Sequence, residues 1–156
     1  MEFTRTHVRQ SILTAVEAAM RAVPDVDEVT MAAPFGDHPR KGSLIDIALL
    51  EEDELVKEGG APGKPAQGVV KRPLAVGLRV KAQVPFSMSA IEFEGLLGDV
   101  ERAMVHIDAL EDVVDDIYPA STAWAYGQDG RTSELSALLV FGVNYKTPAA
   151  DPGKAI

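Results

Sequence analysis

Few residues in this chain are equipped for chemistry. His38 follows Asp37, its only acid–imidazole neighbour pair, and a small hydrolase built on the two is the enzymatic reading. Adjacent residues do not normally face one another as an acid–base pair must, and no G-x-S-x-G turn supplies a nucleophile. The histidines, His7, His38 and His106, are scattered without metal-ligand spacing. Glu51-Glu52-Asp53-Glu54 offers carboxylates to a hard cation but lacks the spaced oxygens and glycine of a calcium loop. A solvated charged turn accounts for it better. Gly59 to Pro65 (GGAPGKP) has the glycines and lysine of a phosphate-binding loop. It fails because Glu58 stands where the first glycine belongs, Pro65 replaces the Ser or Thr, and no strand leads directly into it. Catalytic, cofactor-binding and metal-binding residues are all expected to be absent.

Composition points the same way. The chain has 156 residues, with 15 Lys and Arg against 24 Asp and Glu, a formal charge of -9. That length suits one domain that buries roughly two-thirds of its unfolded surface. The absence of cysteine excludes disulfides, zinc ribbons and thiol nucleophiles. An acidic balance argues against a dedicated nucleic-acid binder. The uncharged run from Leu135 to Tyr145 is too short to span a bilayer, which needs about 20 apolar residues. No signal peptide is expected at the N-terminus, where Glu2, Arg5, His7 and Arg9 have no apolar core behind them.

The spacing predicts a helix over Thr4 to Ala22, with Val8, Ile12, Ala15, Val16, Ala19 and Met20 as its apolar stripe, Thr4 or Thr6 as its cap and Pro24 as its stop. Strands are expected over Val26 to Ala32 and Leu44 to Leu50, the latter buried on both faces. Ala33 to Ser43 reads as a loop. Glu51 to Gly68 has almost no apolar surface to bury and is expected to project as a loop, ordered only against a neighbour. Val69 to Pro85 is the clearest strand: Leu74, Val76, Leu78, Val80, Ala82 and Val84 share one face, Arg79, Lys81 and Gln83 the other. Ser89 and Glu92 open a second helix reaching about His106, with Phe93, Leu96, Leu97, Val100, Ala103, Met104 and Ile107 as its core stripe. Asp108 to Tyr118 fits either helix or strand. Ser121 to Tyr126 and Glu134 to Tyr145 read as a hairpin joined through Gly127 to Gly130. The expected fold is α+β: a mainly antiparallel sheet with two amphipathic helices packed on one face. It forms one domain over 1–147, with a projecting loop at 51–68 and a flexible tail at 148–156.

Charge is segregated along the chain. From Lys57 to Lys81 there are six bases (Lys57, Lys64, Lys71, Arg72, Arg79, Lys81) and one acid, Glu58. From Glu92 to Asp116 there are nine acids, Glu94 and Glu101 among them, and one base, Arg102. Both runs read either as solvated faces or as a basic edge on one copy meeting an acidic edge on the next, a head-to-tail contact that closes a ring if the rotation allows. Opposite the core stripe of the second helix lie Met88, Ile91, Gly95, Gly98 and Arg102. Each interior glycine costs about 1 kcal/mol against alanine, so either another backbone packs closely there or the two are merely tolerated. The expected subunit interface therefore comprises Lys71, Arg72, Arg79, Lys81, Met88, Ile91, Glu94, Gly95, Gly98, Glu101 and Arg102. The expected partner-contacting loop comprises Glu51, Glu52, Asp53, Glu54, Lys57 and Lys64.

Three features together look like a known family. They are the opening helix with Arg9, Ile12, Ala15 and Val16; a strand, long loop and strand followed by the amphipathic helix Phe93 to Met104; and a closing strand ending in Tyr145-Lys-Thr147. This layout resembles the tail terminator proteins of long-tailed, siphophage-like bacteriophages, the minor tail protein U type. The resemblance implies a structural virion protein with no enzymatic activity. It implies a hexameric ring that caps the tail tube, ends tube polymerisation and provides the joint to the head connector. The implied partners are further copies of the chain, the tail tube protein and a connector or neck protein. DNA would pass through the ring without sequence-specific binding, and no membrane is involved. The implied location is the virion, at the head–tail joint, after synthesis in the host cytoplasm. A neck or head-completion protein of the same joint is the alternative.

Overall fold

The computed structural model describes residues 7–31, 42–53, 55–84, 89–129 and 132–156. In chain order the elements are α1 (Val8–Arg21), β1 (Glu28–Met31), β2 (Ser43–Glu52), β3 (Val56–Glu58), β4 (Val69–Val84), α2 (Ala90–Val105), a 3₁₀ turn (Asp108–Leu110), β5 (Asp116–Asp129) and β6 (Thr132–Pro148). The strands form one six-stranded sheet in the order β1-β2-β4-β6-β5, with β3 paired to the start of β4. Among the described residues only the short β1–β2 pair is parallel; the other pairings are antiparallel. The α+β class expected from the sequence is the observed one.

Alternation in β4 sets the two faces. Leu74, Val76, Leu78, Val80 and Ala82 are buried and lie in register with Val143, Phe141, Leu139, Ala137 and Leu135 of β6. Val8, Ile12, Val16 and Met20 of α1, and Phe93, Leu96, Leu97, Val100 and Met104 of α2, join them in one core. The opposite face is thin, because Gly77 and Gly142 lie there. A Cβ on Gly77 would come within 2.8 Å of Leu50 Cδ1, and one on Gly142 would collide with the Tyr118 ring. Glycine thus lets side chains of β2 and β5 lie flat across the central strands.

Several boundaries differ from expectation. Helix α1 starts later, and its cap is His7: Nδ1 accepts from the Arg9 amide at 3.1 Å, while Gln10 Oε1 accepts from the His7 amide at 2.8 Å. Thr4 and Thr6 lie outside the described residues. In β2, Leu44 to Ile47 are buried as expected, but Leu49 and Leu50 are 38% and 42% exposed, and Leu50 lies over Gly77 on the face away from the core. The ambiguous 108–118 segment is a 3₁₀ turn followed by strand. The terminal hairpin is longer than expected: Gly127 pairs with Glu134, and Asp129 with Thr132, so the connection lies beyond Gly127. The expected 51–68 loop is largely hairpin, since Glu51 and Glu52 finish β2 and Val56–Glu58 pair with Val69–Lys71. Residues 59–68 form the turns that close the hairpin. The tail at 148–156 is bonded rather than loose: Pro152 O accepts from the Val8 amide at 3.2 Å, and Lys146 O from the Ile156 amide at 3.2 Å.

The cap makes α1 sensitive to pH. Burial first, then the charges of Arg9 and Arg72, lower the pKa of His7 from its usual 6.5, against an opposing pull from Glu52. The unfolded chain therefore binds this proton more readily than the folded one. The stabilisation is complete above about pH 6.5 and is lost as pH falls through the lower folded value. His7→Ser, which can still cap but does not titrate, should remove that part of the decline in thermal melts between about pH 7 and about pH 5.

Candidate subunit interface

The charges expected on an interface divide into those the fold uses internally and those it leaves outside. A β-bulge at Leu50 shifts the alternation of β2, so that Glu52 lies opposite Leu74 on the helix-bearing face. There its carboxylate meets Arg72 Nη1 at 2.9 Å, Arg9 Nη1 at 3.2 Å and the Tyr145 hydroxyl, which donates at 2.9 Å. Arg72 Nε also donates to Thr147 Oγ1 at 2.9 Å. Tyr145 and Thr147 are both buried. Burial, then the hydrogen bond to Glu52, pushes the Tyr145 phenol far above its usual pKa. This cluster ties β2 to β4 and β6, with Arg9 of α1 at its exposed edge, so within the copy Arg72 and Glu52 serve the fold.

The other strand bases also have partners in the chain. Lys71 lies 2.8 Å from Glu58, and Lys81 lies 3.9 Å from Glu134. Arg79 stands opposite the buried Asp46 in the strand register. The expected basic strand edge is thus mostly neutralised within the copy. Asp53 donates its amide to Pro73 O, continuing the β2–β4 pairing, while Glu51, Lys57 and Lys64 are exposed. Glu54, Met88, Asp37 and His38 lie outside the described residues.

The outer face of α2 is largely open within the single chain. Ile91 is 85% exposed, Gly95 faces open space, and Arg102 pairs with Asp99 one turn away. Gly98 and Glu101 lie half-buried beside them. Trp124, half exposed on β5, donates Nε1–H to Glu94 Oε1 at 2.7 Å and adds an indole to this surface. Periodicity did not single out Trp124, because its register with the helix is set only when β5 pairs with β6. A Cβ at Gly95 would meet nothing within 4 Å, and one at Gly98 only the Arg102 guanidinium, at 3.7 Å. Gly95→Ala and Gly98→Ala should each stabilise the isolated chain by about 0.5–1 kcal/mol. Calorimetry on the single chain and sizing of the assembled form separate that gain from the loss expected if a second backbone packs there.

Below α2, the 3₁₀ turn and the start of β5 enclose a notch of about 410 Å³. Asp108, Glu111, Asp115 and Asp116 line it, and Lys146 approaches only Asp115, at 3.8 Å. Among the described residues no group of three or more His, Asp or Glu is placed to hold a metal ion. No described helix is long and apolar enough to cross a membrane.

A chain in the solved structure of the virion of a native gene transfer agent (GTA) particle is similar to this one. The match covers 88% of this chain and 92% of that one, with 10% identity and a TM-score of 0.39. So distant a likeness says nothing about what the chain does. No family model and no curated protein match it.

Proposed function

We propose that the chain is a structural subunit of a phage-type virion, a tail terminator that assembles as a hexameric ring on the end of the tail tube and joins it to the head. The observation that carries the reading is the outer face of α2. Ile91 is 85% exposed and Gly95 opens to solvent, beside the half-exposed Trp124. Apolar and backbone surface of this kind, on a single domain, is what a second copy of the chain would cover. The order of elements supports the tail-terminator assignment: an opening helix, a strand–loop–strand arm, an amphipathic helix and a long closing strand.

The ring is tested by native mass spectrometry and negative-stain electron microscopy of the purified chain, alone and with tail tubes. Six-fold rings in solution or on tube ends are the expected result. A chain that stays monomeric in both settings contradicts the reading.

A further inference from the structure

We propose that the tip of the β3–β4 hairpin of one copy, carrying Lys57 and Lys64, seats in the acidic notch at the start of β5 of the next copy. This deepens the ring reading and rests on it. The two surfaces lie at the same end of the sheet but on opposite sides. Val69, where the tip joins β4, is in register with Pro148 of β6, and Asp116, at the notch, with Asn144 of β6. Strands β4 and β6 stand between them, so tip and notch face neighbours on opposite flanks. A contact between unlike patches of this kind is head-to-tail and propagates to a closed ring or an open filament.

The charges are complementary after internal pairs are removed. At the tip, Glu58 is occupied by Lys71, leaving Lys57 and Lys64. Lys57 Nζ donates to Lys64 O at 3.3 Å, which draws one ammonium group against the turn. In the notch, Asp108, Glu111 and Asp116 have no ion-pair partner among the described residues, and no Lys or Arg lines the cavity. Apolar surface accompanies both. Leu55 and Val56 are 46% and 49% exposed on the hairpin, and Val105 is 40% exposed at the rim of the notch.

The tip is also pre-shaped. Lys64 N donates to Ala61 O and Gln67 N to Lys64 O, both at 3.1 Å, and Gln67 Oε1 accepts from the Ala61 amide at 3.1 Å. Gly60 has a φ of 83°, and a Cβ there would come within 2.7 Å of Gln67 O, so only glycine closes this turn. A turn held in shape before contact loses less entropy on docking than a free loop.

The chain lacks cysteine, so introduced thiols report on this contact alone. Lys64→Cys protein is mixed with Glu111→Cys protein under oxidising conditions, and with protein carrying Ala18→Cys on the exposed side of α1 as control. The expected result is several-fold more crosslinked heterodimer with Glu111→Cys than with the control. That excess should fall several-fold at about 1 M salt, where the Debye length shrinks to about 3 Å. Crosslinking equal to the control overturns the proposal. The ring reading then stands or falls on whether the cysteine-free protein forms rings. Chains carrying both cysteines separate the two ideas from the other side. A covalent closed ring supports both, whereas an open ladder without closure keeps the contact and rejects the ring.

Discussion

Glu52→Ala should lower the unfolding free energy by about 3 kcal/mol, measured by urea denaturation. The Glu52 and Arg72 side chains are 10% and 13% exposed, so water cannot replace the missing partner. Alanine would leave the Arg72 guanidinium without its counter-charge and the Tyr145 hydroxyl without an acceptor. An uncompensated charge and an orphaned buried donor cost more than the intact pair contributes. The Arg9 contact adds little, since that side chain is 39% exposed. Glu52→Gln keeps an acceptor for Tyr145 and should lose about half as much. Replacing Glu52 and Arg72 together by methionine should cost less than Glu52→Ala, because no charge is left stranded. If Glu52→Ala costs under about 1 kcal/mol, the cluster is a surface feature rather than a buried tie between β2, β4 and β6.

The second large effect lies in the core. Phe141 is fully buried at the middle of β6, between Val76 of β4 and Pro119 of β5 in the register. Phe141→Ala should cost about 3–5 kcal/mol, from lost transfer energy plus the cavity left in a sheet whose neighbours cannot collapse. Against the 5–15 kcal/mol typical of a domain, that removes a large share of the total. Phe141→Leu should cost about 1.5 kcal/mol or less, because most of the volume is kept. Equal losses for the two variants would mean that packing at this position does not depend on volume.

What the sequence revealed and concealed follows from range. The alternation of β4 and the stripes of both helices are local patterns, so the core face was legible residue by residue. Ser89 was legible as a cap because its partner Glu92 is three positions away. Charge partners were not. Arg72 finds Glu52 and Lys81 finds Glu134 only after β4 has paired on both sides. Blocks of like charge therefore suggested a free basic edge where the fold has already spent most of it. Strand β3 was hidden because all its residues are exposed and only pairing with β4 makes it a strand. The bulge at Leu50 carries no hydropathy pattern, yet it turns Glu52 from the solvent side to the helix side. The acidic notch brings the end of α2 against the start of β5, and its acids were visible only as a run.

The central claim, a ring that ends tube growth, is tested most directly by tube length. Tail tube protein is allowed to polymerise with and without this chain, and tube lengths are measured in electron micrographs. The account predicts shorter tubes as the chain is added, each with a ring at one end. Tubes of the same length at every concentration, with bare ends, would contradict it.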